Sequence, residues 1–232
     1  MPENTIEYLV VFHKVCCAML SDLTIHEFNN VLTGLSGYAQ MAARAREPQM
    51  VTRSLKALED GVGRLIDGIR NTLAFTRGSL HETKPFEAHQ CASLVTRLLD
   101  YHLSRRNVEV TVETLGTALV LGNATLFESA VMALLLDCRD RLMAGGGSGT
   151  VRIVHTCENR RFFLEISDSL GCPELEPPPG GAKPDEAQPF DALRWMTPEA
   201  VKAVVALHDG TLSVRHDGGR PVRVVELPVF IG

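Results

Sequence analysis

The sequence predicts a chain in two parts, an all-helical first third followed by an α/β sandwich. Three observations carry this reading. Apolar residues up to Leu73 recur at steps of three and four, the period of a helix face. Beyond residue 88, helical periods alternate with runs of period two. The two patterns are separated at residues 81–88, centred on Lys84-Pro85, which reads as a linker. With 232 residues, 45% hydrophobic and 22% charged, the chain is long enough for one or two domains with real cores. The same composition excludes a disordered or collagen-like chain.

The first helix carries Ile25, Phe28, Leu32, Leu35, Ala39 and Ala42 on one face. Upstream, Leu9, Phe12, Cys16, Met19 and Leu23 keep the alternation, so the helix is expected to be long. Glu47-Pro48 breaks it, because proline cannot continue a helix interior. A second helix places Val51, Leu55, Leu58, Val62, Leu65, Ile69 and Leu73 on one side and ends at Gly78-Ser79. Two helices joined by a short turn make a helical hairpin. One hairpin cannot bury two apolar stripes, so residues 1–80 are expected to pair with a second copy as a dimeric four-helix bundle. The alternative is that the stripes pack on the rest of the same chain.

In the second half, residues 89–232, a helix is expected over 91–103 and a strand over Val108-Glu109-Val110-Thr111-Val112, followed by a short strand at 118–121. Residues 125–143 read as a helix ended by Gly145-Gly146-Gly147-Ser148-Gly149. Strands at 151–156 and 162–167 turn around Glu158-Asn159-Arg160. A loop is expected from Ser169 to Met196, where six of the twelve prolines lie. Thr197 reads as the N-cap of a last helix, with Pro198 in its first turn. A hairpin at 211–215 and 222–229, turning at Asp217-Gly218-Gly219, closes the chain. Helices on one face of a mixed sheet follow.

Net charge is −5, which argues against a general nucleic-acid binder. No run of about twenty apolar residues stands out, and the acidic start lacks the basic region of a signal peptide. A cytoplasmic protein with reduced thiols is the expectation. The cysteines at 16, 17, 91, 138, 157 and 172 contain no CxxC pair, so no metal site is expected.

The segment Thr24-Ile25-His26-Glu27-Phe28-Asn29-Asn30-Val31-Leu32-Thr33-Gly34 is the most informative. With Ile25 at the centre of the buried stripe, His26, Asn30, Thr33 and Gly37 form a ridge roughly 80–140° away, and Glu27 points to solvent. A half-exposed imidazole on a rigid helix can act as a nucleophile. A carboxylate beside it can orient the ring and take its proton. Asn30 can hydrogen-bond a phosphoryl oxygen or a water. On spacing alone, a solvated surface histidine fits as well.

This segment resembles the phosphoacceptor box of sensor histidine kinases, in the subgroup whose box begins His-Glu-x-Asn-Asn. The likeness extends to Arg64-Leu65-Ile66-Asp67-Gly68-Ile69-Arg70-Asn71-Thr72-Leu73-Ala74-Phe75-Thr76-Arg77, which resembles the end of the family's dimerisation and histidine-phosphotransfer domain. Residues 126–143, with Arg139-Asp140-Arg141-Leu142-Met143, resemble the family's N-box helix. Ile166-Ser167-Asp168 resembles the strand entering its adenine-binding Asp box. Leu207-His208-Asp209-Gly210-Thr211-Leu212 resembles its last helix and following strand. The resemblance implies a dimeric bundle carrying phosphohistidine, then a Bergerat-type ATP-binding domain.

The second half departs from the family pattern. Asp137 stands where an asparagine helps hold Mg²⁺, and Ala133 replaces the upstream asparagine. Asp168 keeps its place, but Asp168-Ser169-Leu170-Gly171-Cys172 lacks both glycines of Asp-x-Gly-x-Gly. Trp195-Met196-Thr197-Pro198 stands where a glycine-rich lid is expected, and Trp195 is placed either to plug the vacated cleft or to serve as a binding hot spot. The resemblance therefore implies catalytic roles for His26, Glu27 and Asn30, and a relict ATP site at Asp137 and Asp168.

The expected function is histidine phosphotransfer in a two-component system, with His26 carrying a phosphoryl group between response-regulator receiver domains. The receiver supplies Mg²⁺, and no cofactor is bound tightly. One alternative is an ATP-dependent autokinase without its own sensor, which would need a separate input protein; an upstream sensor kinase is a further candidate partner. The other is a non-enzymatic pseudokinase scaffold.

Overall fold

The structure, a computed structural model, describes residues 3–176 and 189–231. In chain order the elements are α1 (Glu3–Arg44), α2 (Pro48–Thr76), β1 (Lys84–Glu87), α3 (Ala88–Ser104), β2 (Val108–Thr114), β3 (Leu119–Gly122), α4 (Ala124–Gly145), β4 (Gly149–Glu158), β5 (Arg161–Asp168), α5 (Pro189–Leu207), β6 (Thr211–Asp217) and β7 (Arg220–Pro228). A helical N-terminal region is thus followed by a mixed α/β domain, the predicted architecture.

Two compact units form. One is Leu20–Arg77; the other joins the residues up to Met19 with those from Gly78 onward. This boundary differs from the expected division at residue 80. The cause is the start of α1, where Leu9, Phe12, Cys16 and Met19 are fully buried. The Tyr8 hydroxyl donates to the Met196 carbonyl at 3.2 Å, and His13 Nδ1 and the Ser129 hydroxyl are 2.8 Å apart. The same stretch amends the membrane expectation. The helix over Thr5–Arg44 is long and apolar enough to cross a membrane by length and composition, and a third of its most apolar window is buried in the fold. Leu9, Phe12, His13, Cys16, Met19 and Leu20 are the buried side chains of its first half, as in a core helix of an α/β domain.

The hairpin unit is built on an antiparallel ladder. A Cβ at Gly61 would stand 2.5 Å from Leu35 Cδ2, and one at Gly68 3.3 Å from Phe28 Cε1. Thr24 and Thr72 hydroxyls meet at 3.4 Å. Each step of seven or four down α1 is matched by the same step up α2. The two glycines let the helices approach closely enough to seat Phe28 and Leu35. The apolar stripe expected on α1 therefore divides. Phe28 and Leu35 turn inward and are half-buried, whereas Ile25 and Leu32 are 57% and 53% exposed. On α2, Leu58 and Leu65 are half-buried while Leu55, Val62, Ile66, Ile69 and Leu73 are exposed.

In the α/β unit the five-stranded sheet has the order β2-β4-β5-β7-β6, and β1 and β3 make a separate pair. β2 and β4 are parallel, and the other neighbours are antiparallel. α4 is apolar nearly all round, because it packs against α3, α5 and the sheet at once. Its Leu134 and Leu135 share the core with Ile153, Leu164, Ile166 and Val225.

Two elements differ from the sequence reading. The expected linker contains β1, paired with β3 so that Phe86 opposes Val120; four residues are too few for a period-two signal. α5 begins at Pro189 rather than Thr197, and Pro198 lies inside it. The Thr197 hydroxyl donates to the Leu193 carbonyl one turn back, at 2.8 Å, and does not cap the helix. Buried residues recur as Ala192/Leu193, Met196/Thr197, Ala200/Val201 and Val204/Val205. That four-residue stripe runs through Pro198, and its burial outweighs a proline cost of about 3 kcal/mol. The loop expected from Ser169 to Met196 lies, over residues 177–188, outside the described residues.

Four histidines of this unit are held toward the neutral form. Burial lowers the pKa of His13 and His208. His102 and His155 are lowered to about 4, chiefly by burial, with Arg139 adding for His102 and His89 for His155. A folded pKa below the unfolded value near 6.5 means stability is full above that pH and falls below it. Glu128 opposes this, since burial raises its carboxyl to about 7, which favours the fold toward lower pH. Four groups outweigh one. Urea midpoints should therefore fall between pH 6.5 and 4.5, by up to about 1.4 kcal/mol per pH unit for each histidine. A flat profile in that window would refute the assignment.

Candidate functional site

Residues 26, 30, 33 and 37 lie along one exposed ridge of α1. Their spacing of four, three and four places them on successive turns of an unbroken helix, so His26 and Asn30 sit on adjacent turns. The Thr33 hydroxyl donates to the Asn29 carbonyl at 2.7 Å, which keeps it bound to its own helix. Glu27 is half-buried rather than solvent-directed. The correction follows from the split stripe: with Ile25 outward, the inner face turns toward Glu27 and Phe28. An exposed imidazole on a rigid helix leaves its ring nitrogens open to an incoming electrophile.

The residues at the expected nucleotide site are engaged differently. Asp168, at the end of β5, is buried. Its Oδ2 accepts from Arg141 Nε at 3.2 Å and from the Cys172 thiol at 3.4 Å. Its Oδ1 accepts from the Leu170 amide at 2.9 Å. Arg141 also donates to the Gly171 carbonyl. Asp137, on α4, accepts from Arg223 Nη1 at 2.7 Å, and Arg223 Nε donates to the Pro173 carbonyl at 2.7 Å. The Arg223 side chain is 2% exposed. The carboxylate beside it raises its pKa although burial works the other way.

Between α4 and α5 the remaining cavity is about 10 Å³, lined by Ala133, Asp137, Arg139, Phe190, Leu193 and Thr197 among others. That is room for about one water. Phe190 lies over the Arg139 guanidinium, 4.5 Å from ring centroid to Cζ, and Arg139 is held by Asp140 and by His102 Nε2 at 2.7 Å. Trp195 does not line this cavity; it is half-buried elsewhere on α5. The early start of α5 thus fills the place where the sequence reading put a loop.

Arg141 and Arg223 are the site residues that sequence reasoning missed. Arg223 was findable. It interrupts Val222-Arg223-Val224-Val225 in a strand with a partner on each side, where a charge needs a buried counter-ion.

No family model and no curated protein matches the sequence. Solved structures do resemble the fold. The catalytic domain of histidine kinase ThkA aligns with 64% of this chain and 98% of its own, at 15% identity and a TM-score of 0.51. ThkA in complex with response regulator protein TrrA aligns with 92% of this chain and 62% of its own, at 16% identity and a TM-score of 0.50. Acinetobacter baumannii histidine kinase AdeS covers 88% of this chain and 98% of its own at 16% identity, with a TM-score of 0.45. The two ThkA alignments show that the chain has the fold of a histidine kinase: a helical N-terminal region followed by a mixed α/β domain.

Proposed function

We propose that the protein is a histidine phosphotransfer protein, in which His26 carries a phosphoryl group between receiver domains of response regulators. The observation that carries this reading is the engagement of both expected nucleotide-site carboxylates by arginines of the same chain. Asp168 is held by Arg141 and Asp137 by Arg223, in a fold where those positions would otherwise meet adenine and Mg²⁺. The residues present fit a nucleotide poorly. Its adenine amino group would compete with Arg141 for a buried carboxylate, and the cavity between α4 and α5 admits no ring.

Phosphohistidine transfer needs no nucleotide. The receiver brings the aspartyl phosphate, its acidic pocket and Mg²⁺. This chain contributes the imidazole nitrogen that attacks phosphorus in line with the departing aspartyl oxygen. Glu27 orients the ring, and Asn30, one turn on, hydrogen-bonds a phosphoryl oxygen or a hydrolytic water. The complex of ThkA with a response regulator supports a receiver as partner on this fold. The test is incubation with a receiver carrying radiolabelled aspartyl phosphate and, separately, with radiolabelled ATP alone. Label arriving only from the receiver supports the proposal. Label arriving from ATP alone overturns it in favour of an autokinase.

The hairpin's outward apolar residues, Ile25, Leu32, Leu55, Val62 and Ile69, support a homodimer built from this unit, since a second copy would bury them. Val62→Arg places a charge in that seam without touching the half-buried Leu58 and Leu65. It should convert a dimer to a monomer in light scattering at micromolar concentration while helicity by circular dichroism is kept. A wild-type monomer at that concentration would refute the dimer.

A further inference from the structure

Cys138 and Cys172 lie side by side in the α/β unit, and nothing in the phosphotransfer chemistry uses them. Cys138 is on α4 and Cys172 four residues beyond the end of β5; both are fully buried. Their sulfurs are 3.4 Å apart. Sequence reading expects reduced thiols and no metal site among the six cysteines, and these two are 34 positions apart. The fold brings them into contact.

We propose that Cys138 and Cys172 form a reversible disulfide in response to a hydroperoxide oxidant. Two sulfurs at 3.4 Å need to close by roughly 1.4 Å to reach a bond of about 2.05 Å. One partner is able to give. Cys172 sits in the irregular segment 171–176, tied by its amide to the Pro221 carbonyl at 2.7 Å, while Cys138 is fixed in the middle of a helix. Cys172 therefore reacts first and Cys138 resolves.

The balance is that of a two-electron oxidation. The Cys172 sulfur attacks one peroxide oxygen, the O–O bond breaks, and a sulfenic acid forms with release of water from hydrogen peroxide or of the alcohol from an organic hydroperoxide. The Cys138 sulfur then attacks the sulfenic sulfur, water leaves, and the two thiols have lost two hydrogens in all.

Asp168 also touches the pair, and the three side chains together place a carboxylate oxygen and two sulfurs within 4.8 Å of one another. A divalent cation is the rival occupant. It is disfavoured because Asp168 Oδ2 is already shared by Arg141 and the Cys172 thiol, and because these are three donors where a closed zinc site uses four.

The consequence of the bond is mechanical. It staples the segment that follows Asp168 to α4. Cys172 gives up its hydrogen bond to Asp168, and Arg141 and the Leu170 amide retain the carboxylate. In a reducing compartment the pair stays as two thiols until an oxidant arrives.

The test uses the full chain carrying Cys157→Ser, which removes the exposed thiol, treated with hydrogen peroxide and then alkylated after unfolding. Peptide mass mapping should find Cys138 and Cys172 joined, with the mass of two hydrogens lost. The midpoint of thermal unfolding should rise by several degrees and return with dithiothreitol. Cys138→Ser and Cys172→Ser should each abolish that reversible rise. Recovery of both cysteines as alkylated thiols after treatment overturns the proposal. So does binding of one zinc ion per chain by the reduced protein that both serine variants lose. Labelling of His26 is a separate readout, so failure here leaves the phosphotransfer reading standing.

Discussion

His26→Ala abolishes acid-labile labelling of this protein by a phosphorylated receiver domain, with the residual signal at background. The effect is total because no other group on the exposed ridge can form a phosphoramidate: Asn30 and Thr33 are an amide and a hydroxyl. The substitution leaves the fold alone. His26 is exposed on its helix, and surface replacements of that kind stay within about 0.5 kcal/mol. Circular dichroism and light scattering should therefore match the wild type. Asn30→Ala should retain labelling but change the lifetime of phosphate on a partner receiver, since an amide one turn away acts on a water or a phosphoryl oxygen rather than as the acceptor. Label that persists in His26→Ala and maps to His81 would overturn the assignment.

Arg141→Met should be the most damaging single change in the α/β unit. Asp168 has a fully buried side chain, and Arg141 is its cationic partner. Removing the guanidinium strands a carboxylate with one amide and one thiol as donors. Leaving a buried charge unpaired costs about 3–5 kcal/mol, which for a domain of this size lowers the unfolding midpoint by roughly 6–20 °C. Adding Asp168→Asn should recover part of the loss, because the stranded charge is then gone. The double-mutant cycle, read by urea denaturation, separates this from a packing effect. Equal and additive losses from the two substitutions would show that the pair is not coupled.

Much of the architecture was legible in the sequence because its elements are long or strictly periodic. The break at Glu47-Pro48, the strands around Glu158-Asn159-Arg160 and the terminal hairpin all rest on local chemistry that tertiary contacts do not override. The start of α5 was hidden by proline: Pro189 and Pro198 read as punctuation, and only the paired stripe from Ala192 onward reveals a helix through them. The division of the α1 stripe was hidden for a different reason. Period alone says which residues share a face, but the small Gly61 and Gly68 decide which of them turn inward.

Of the candidate site, the ridge bearing His26 and Asn30 follows from helical spacing, and its chemistry came from resemblance. Arg223 was legible as a charge in need of a counter-ion but its partner was not, since its ion pair with Asp137 spans 86 positions, and the pair of Arg141 with Asp168, 27 positions apart, likewise forms only once α4 packs on the end of β5. Likewise, the contact between Cys138 and Cys172 exists only once α4 and the end of β5 are packed.

The ladder between α1 and α2 sets a rule for how this hairpin can change in length. Leu35 meets Gly61, Phe28 meets Gly68 and Thr24 meets Thr72, so the two residue numbers in every rung sum to 96. A deletion of seven residues from each arm near the turn removes two helical turns from both and returns every remaining rung to its partner. The same seven residues taken from one arm alone shift that arm past the other by two turns: taken from α2 they set Phe28 against Phe75 instead of Gly68, and taken from α1 they set Leu35 against Ser54 instead of Gly61. Hairpins descended from this one should therefore vary in length by matched insertions and deletions, with the turn at Glu47-Pro48 as the point about which they balance.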